Sequence, residues 1–193
     1  KPSDIHKLQA AAAVGQMGLV QAYEYLFAKH KVQTAQVLLT RDNLLNSKHF
    51  ENISATLGNL LEFGIVPVIN ENDTVATEEI KFGDNDTLAA LVANFLEAEK
   101  LIILTDQYGV FDDDPRKNND AELIKKIHFN DEKLERVAGK TAGALGSGGM
   151  YSKVMAAKQA AKSQTISNIV WGREKDVLTR IYQGEYIGTL INC

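Results

Sequence analysis

The chain contains, at residues 65–73, the stretch Ile-Val-Pro-Val-Ile-Asn-Glu-Asn-Asp. The five apolar residues indicate a buried strand, and the polar residues that follow directly indicate the loop at its carboxyl end. Short apolar runs at 34–39, 101–104 and 169–171 alternate with segments of helical periodicity. Continuous apolar strands separated by helices are typical of a parallel sheet covered on both faces. The pattern therefore predicts an α/β fold, a three-layer sandwich around a mainly parallel central sheet.

The helices that would cover this sheet show apolar residues at every third or fourth position. We predict helices at 4–29, from 47 or 52 to 63, at 87–97, at 131–138, from the glycine-rich loop to 162 and at 174–183, and a last strand at 186–191. Gly64 suits a helix C-terminus, and Asp86 suits the N-cap of the helix that follows it. Trp171, at the end of an apolar run, is expected to lie in the core.

Composition limits the class of protein. The chain has 193 residues, 45% of them hydrophobic, which suits one globular domain over residues 1–193. The net charge of −4 and the scattered Lys and Arg argue against a nucleic-acid partner, which would require a basic stripe. No apolar run approaches the ~20 residues that span a bilayer, so no membrane partner is expected. Cys193 is the single cysteine, which suits a reducing cytoplasm.

Two short clusters of Asn and Asp, at 70–73 and 83–86, flank a brief segment of the chain. Carboxylates and amides at a strand end can bind the ammonium and carboxylate groups of a small polar ligand. Asn and Asp also form ordinary turns, because their side chains bond the nearby backbone and tolerate unusual dihedral angles. Taken alone, these residues favour the interpretation as turns.

A glycine-rich loop at 143–149 precedes a predicted helix. Glycine lets the backbone approach a phosphate, and a helix start offers free N–H groups and a positive dipole end. Lys153 lies one turn into that helix, where it could reach a phosphate oxygen. The loop is not a Walker A motif, and a flexible loop with a surface lysine is the alternative. The run Asp112-Asp113-Asp114 is interpreted as a solvated acidic turn, and the scattered histidines predict no metal site in the protein.

Several motifs in the same order are found together in one known family. The segments 104–111 and 114–116 resemble the nucleotide side of the amino acid kinase superfamily. The segments 68–73, 83–86 and 146–153 narrow this resemblance to the glutamate 5-kinases, also called gamma-glutamyl kinases. Because the similarity runs from about residue 11 to residue 190, it implies the amino acid kinase fold for nearly the whole chain.

The resemblance implies ATP-dependent phosphorylation of the γ-carboxylate of L-glutamate, the first step of proline synthesis. It assigns glutamate binding to Asp73 and Asn85, assisted by Asn70, and it gives Asp86 the role of orienting the catalytic Lys153. The nucleotide-binding positions that it implies are Thr105, Asp106, Ser147, Gly148, Gly149, Met150, Tyr151, Ser152 and Lys153. Mg²⁺ would be held mainly through the nucleotide phosphates, because this ion keeps several waters and favours phosphate oxygens.

The family pattern also begins with a strand that carries a phosphate-binding lysine and a glycine-rich loop, and nothing near Lys1 resembles them. The chain is therefore expected to be incomplete at its N-terminus, and to stop before a C-terminal RNA-modification-type domain. The resemblance further implies proline feedback inhibition and a homo-oligomer. Two alternatives stay open, another carboxylate or carbamate kinase of the superfamily and a non-catalytic ligand-binding fragment.

Overall fold

The computed structural model describes residues 4–40, 43–44, 47–75, 85–140 and 149–193, and the chain divides into two compact units, Lys1–Asn85 and Asp86–Cys193. The first unit contains α1 (Ile5–Ala28), β1 (Thr34–Leu39), α2 (Ser47–Glu62) and β2 (Val66–Glu71). Helix α3 (Asn85–Phe95) begins at Asn85, the last residue of the first unit. The second unit continues with β3 (Lys100–Thr105), β4 (Lys126–His128), α4 (Glu132–Lys140), α5 (Met150–Ala161), β5 (Ile166–Trp171), α6 (Val177–Tyr182) and β6 (Thr189–Asn192).

A two-stranded parallel sheet lies at the centre of the first unit. Thr34 pairs with Val66 at one end of β1 and β2, and Leu39 pairs with Glu71 at the other. Helix α1 packs on β1, and α2 packs on β2. Gly64, at φ +72°, follows α2 in the left-handed region, as predicted for a helix C-terminal glycine. Because β2 extends through residue 71, the first Asn/Asp cluster begins inside the strand.

The second unit is built on a four-stranded sheet in the order β3-β5-β6-β4. β3 pairs with β5 and β4 with β6 in parallel, while β5 and β6 run antiparallel. Helix α5 packs on β5 and β3, and α4 packs on α5. The core of this unit includes Leu134, Val137, Val154, Ala157, Ala160, Ile169 and Ile191. Mainly parallel sheets flanked by helices confirm the predicted α/β class.

Gly188 sits at a close approach between β5 and the start of β6. Its φ is +69°, in the left-handed region. A Cβ atom here would lie 2.3 Å from the carbonyl oxygen of Ile169 and 2.6 Å from Cγ1 of Val170. A side chain does not fit at such distances, so only glycine allows this approach.

Some elements differ from the sequence predictions. The three residues of β4 carry too little pattern to predict a strand. Asp86 lies in the first turn of α3, which begins at Asn85, so the prediction that it is the N-cap is wrong. Trp171 is half-buried rather than part of the core, because it is the last residue of β5, at the carboxyl end of the strand. Within the described part of the chain, we find no helix with both the length and the apolar character to cross a membrane.

Candidate functional site

β3 and β5 end side by side, because Thr105 and Trp171 are register partners at the last position of both strands. We call this end of the strand pair the carboxyl edge. The short turn 162–165 connects α5 to β5, and α5 packs on that strand. Helix and strand therefore run in opposite directions. The 12 residues of α5 and the six of β5 correspond to similar lengths, about 18 and 20 Å. The first turn of α5 therefore lies at the carboxyl edge.

Lys153 and Asp86 form an ion pair between α5 and α3. The ammonium Nζ of Lys153 donates to Oδ2 of Asp86 at 2.9 Å, and the two side chains are 14% and 18% exposed. Ser152 Oγ lies 3.0 Å from the same carboxylate oxygen and 2.8 Å from the carbonyl oxygen of Gly149. Its single proton serves one of these acceptors at a time. The structure thus joins the two predicted catalytic residues and adds Ser152 to them.

The start of α5 suits an anion. Gly149 is the N-cap, with an extended backbone, and a Cβ at this position would meet no atom of the described residues within 4 Å. The first backbone N–H groups of a helix have no partner inside it, and the helix dipole is positive at this end. Met150 is buried and Tyr151 is exposed, so the backbone of Met150, not its side chain, is available to a ligand. The predicted nucleotide-binding residues Ser147 and Gly148 lie outside the described residues.

Thr105 and Asp106 continue the carboxyl edge beyond β3. Thr105 Oγ1 donates to Oδ1 of Asp106 at 3.2 Å, and Asp106 is exposed. The backbone N–H of Gly172 donates to the carbonyl oxygen of Thr105 at 2.7 Å, which ties the end of β3 to the end of β5. The two predicted nucleotide-binding residues therefore stand at the same edge as the start of α5.

The loop after Asp106 is held by a buried carboxylate. Asp114 is 3% exposed and accepts from Nε of Arg116 at 2.9 Å and from Nη2 at 3.1 Å. These bonds and the Arg116 charge hold the pKa of Asp114 below its ordinary value, against the opposing effect of burial. The pKa of Arg116 is raised by Asp114 in return, and also by the charge of Asp106. The interpretation of residues 112–114 as a solvated turn is therefore wrong for Asp114.

The first unit joins three amide side chains in a chain of hydrogen bonds. Asn85 Nδ2 donates to Oδ1 of Asn70 at 3.0 Å, and Asn70 Nδ2 donates to Oε1 of Gln16 at 2.8 Å. Within the described residues, the buried Nε2 of Gln16 has no hydrogen-bond partner. Asn70 accepts through its oxygen and donates through its nitrogen, so its two bonds fix which side-chain atoms of Asn85 and Gln16 face it.

Asp73 lies in the turn that follows β2 and is half-buried. The turn is tied to β1 by the backbone N–H of Asn72, which donates to the carbonyl oxygen of Leu39 at 2.8 Å. Within this turn the Thr74 hydroxyl donates to the side-chain oxygen of Asn72. Among the predicted glutamate-binding residues, the structure brings Asn70 and Asn85 into contact and places Asp73 three residues after Asn70.

Sequence reasoning gave no role to Gln16 or Arg116, and it predicted Ser152 as a nucleotide-binding residue without its bond to Asp86. Gln16 is a polar residue inside the Ala-rich part of α1, and an amide in such a setting signals a specific bond. Ser152 precedes Lys153 in a helix, where serine gains little from propensity alone. Arg116 follows Asp114 by two residues, a spacing that allows a bond from its side chain back to the carboxylate.

Comparisons with known proteins give a consistent result. The chain matches the amino acid kinase family over residues 2–171. It is 59% identical over 191 residues to the glutamate 5-kinase of Pseudomonas paraeruginosa, and 57% identical over 191 residues to that of Hydrogenovibrio crunogenus. Both alignments cover 99% of this chain and 51% of the relative. The chain thus spans about half the length of the curated relatives it matches.

A solved structure shows the same fold at low identity. Carbamate kinase from Giardia lamblia bound to AMP-PNP superimposes with a TM-score of 0.61 and 15% identity. The match covers 97% of this chain and 80% of that one. At this identity the likeness shows the shared fold alone.

Proposed function

We propose that this protein, which belongs to the amino acid kinase family, transfers the γ-phosphoryl group of ATP to the γ-carboxylate of L-glutamate. The observation that carries this proposal is the identity of 57–59%, over 99% of the chain, to glutamate 5-kinases. The geometry adds support, because a partly buried lysine–aspartate pair lies at the start of a helix, where backbone N–H groups have no partner inside the helix. The product would be L-glutamyl 5-phosphate, formed in the first step of proline biosynthesis.

The reaction requires no general base. The acceptor carboxylate has an ordinary pKa of about 4.3 and is ionised at neutral pH. One of its oxygens forms a bond to the γ-phosphorus while the bond from that phosphorus to the bridging oxygen of ADP breaks. Catalysis therefore depends on alignment of the two substrates and on stabilisation of charge on the phosphoryl oxygens.

Lys153 is the residue that we assign to that charge. Its ammonium would donate to an oxygen of the transferring group, and Asp86 would hold the side chain in position at the observed 2.9 Å. Ser152 shares the Asp86 oxygen and so limits the rotation of the carboxylate. A group fixed before the reaction stabilises developing charge without the cost of rearrangement, which is the basis of electrostatic catalysis.

ATP and Mg²⁺ fit the residues that are present. The N-terminal N–H groups of α5, after the glycine at position 149, suit phosphate oxygens, and Thr105 and Asp106 offer oxygens to a ribose. Lys153 supplies a cation at the same helix start. When bound to the phosphates, Mg²⁺ would neutralise part of their charge.

The polar residues of the first unit suit the acceptor. Asn85 is exposed and donates to Asn70 through its nitrogen, so its Oδ1 can accept from the ammonium of an amino acid. The Asp73 carboxylate is assigned to the same ammonium, and Asn70 orients Asn85. The proposal also includes a cytoplasmic location, a homo-oligomeric state and feedback inhibition by proline, which rest on the resemblance to glutamate 5-kinases.

The test is ADP release by the complete gene product with ATP and Mg²⁺. L-Glutamate, N-acetylglutamate, L-aspartate and carbamate are supplied separately as acceptors. We expect kcat/KM for L-glutamate to exceed that for each of the others by roughly tenfold or more, because missing or mispaired polar groups are costly in a polar pocket. Higher kcat/KM with N-acetylglutamate or carbamate would assign the protein to another carboxylate or carbamate kinase. Glutamate binding without ADP release would indicate a non-catalytic role.

A further inference from the structure

Two aromatic side chains meet at the carboxyl edge of the second unit. The ring centroids of Tyr108 and Trp171 are 5.1 Å apart, and the ring planes are inclined by 48°. Trp171 ends β5 and is half-buried, while Tyr108 follows β3 by three residues and is 57% exposed. The indole therefore anchors a phenol ring that keeps much of its surface in contact with solvent.

The backbone on both sides of Tyr108 is fixed. Before it, the carbonyl oxygen of Thr105 accepts from the N–H of Gly172 at 2.7 Å. After it, the N–H of Val110 donates to the buried Oγ1 of Thr189 at 2.8 Å. Tyr108 is thus held on the sheet at two points, and an aromatic surface held in this way loses little conformational entropy when a ligand stacks on it.

The Tyr108–Trp171 pair lies at the same edge as groups that suit the phosphates and ribose of a nucleotide. In open α/β sheets, ligands bind beyond the carboxyl ends of the strands. The same edge carries Thr105 and the exposed carboxylate of Asp106, and it carries the first turn of α5 with Lys153. Phosphates suit the helix start and ribose hydroxyls suit the carboxylate, but neither group suits an aromatic ring. A ligand that uses this edge fully would have an aromatic part as well.

We propose that Tyr108 and Trp171 form the stacking surface for the nucleobase of the phosphoryl donor. This inference rests on the proposed function and adds the residues that contact the base. Every base has a π-face, so the pair would favour large purine bases over pyrimidines through contact area and would discriminate less between adenine and guanine. Such a surface acts on binding and leaves the chemical step unchanged, because it lies against a part of the donor that does not react.

Trp171 allows a direct test, because it is the single tryptophan of this chain. Its emission is measured in the complete gene product during titration with Mg²⁺-ATP, Mg²⁺-CTP and Mg²⁺-tripolyphosphate, and a Trp171→Phe variant identifies the part of the signal that belongs to this residue. We expect ATP to change the emission of Trp171 and tripolyphosphate to leave it unchanged. CTP should bind less tightly than ATP.

Substitutions of Tyr108 distinguish a loss of stacking on the base from a general loss of stability. Tyr108→Ala should raise the Kd for ATP about tenfold, in the range seen when a base-stacking side chain is removed, and should leave the Kd for tripolyphosphate unchanged. Tyr108→Phe keeps the ring and should bind ATP as the parent does. Tyr182→Ala is the matched control, because Tyr182 is an exposed tyrosine of the same unit, on α6.

The outcomes are distinguishable from failure of the proposed function. If ATP binds but Tyr108→Ala leaves its Kd within twofold of the parent, or if tripolyphosphate changes the emission as ATP does, the stacking role is excluded and the kinase proposal stands. If neither ATP nor tripolyphosphate binds to the parent protein, both proposals are excluded. Equal losses in Tyr108→Ala and Tyr182→Ala would also exclude the stacking role, because the effect would then be general destabilisation.

Discussion

The two units hold their candidate functional side chains by different means. In the first, Gln16, Asn70 and Asn85 are joined by bonds between neutral amides, whereas in the second Asp86 and Lys153 are joined by opposite charges. An amide chain fixes which atom is a donor and which an acceptor. An ion pair fixes a charge in space and is weakened by salt. Under the proposed function, the oriented amides would bind the amino acid and the fixed cation would stabilise the phosphoryl group.

The largest expected effect comes from removal of the cation. Lys153→Ala in the complete gene product should lower kcat for glutamate phosphorylation by about 10²-fold or more, on the order of the loss of one transition-state donor. Lys158→Ala is the control, because Lys158 lies on the same helix and pairs with Glu135. Unchanged kcat at saturating ATP in Lys153→Ala would contradict the assigned role.

An intermediate effect is expected from the amide chain. Gln16→Leu removes the acceptor of Asn70 Nδ2 and should raise KM for glutamate several-fold, while KM for ATP and kcat stay close to the parent values. An amide left without its partner costs roughly 1–3 kcal/mol when buried, so the free energy of unfolding in urea should fall as well. Gln21→Leu, at an exposed position of α1, is the control. A parallel rise in KM for ATP would argue against a role specific to the acceptor.

The smallest effect concerns the pH dependence of the second unit. Because its bonds to Arg116 hold the pKa of Asp114 below the ordinary 3.8, ionised Asp114 stabilises the fold, and that contribution is fully present above about pH 4. It is lost as the pH falls below 4 toward the lower pKa of the folded state. Asp114→Asn should therefore be less stable than the parent at pH 7, and the difference should narrow below pH 4.

Urea midpoints measured from pH 7 to pH 3 test this expectation. Asp120→Asn, at an exposed position in the same loop, should follow the parent across the whole range. A constant difference between Asp114→Asn and the parent at every pH would show that the ionised carboxylate is not the source of the stabilisation.

The fold could be predicted from the sequence, whereas most contacts between side chains could not. The apolar runs gave the parallel strands, because burial on both faces leaves a pattern that neighbouring residues share. Asp86 and Lys153 form a bond of 2.9 Å but are 67 residues apart in the sequence. No local sequence pattern predicts a contact between residues so far apart. Their pairing came only from the resemblance to a family. Gln16 was missed for the same reason, since its partner lies 54 residues away.

Other parts of the sequence interpretation stay predictions. These predictions are the substrate roles of Asp73 and Asn85 and the single domain over residues 1–193. The role of Asp86 as N-cap failed because local preference for a helix start cannot distinguish the cap from the first turn. The prediction that Trp171 is a core residue failed because hydrophobicity does not reveal which residue is the last of a strand.

Gly188 has a consequence for how this sequence can diverge. A side chain there would collide with the backbone of Ile169 at 2.3 Å, and no rotamer relieves a clash that begins at Cβ. Every single-base change that replaces this glycine would therefore disturb the strand that ends in Trp171. In a library of random variants selected for folding, position 188 should return glycine alone, whereas the exposed position of Tyr182 should accept many residues.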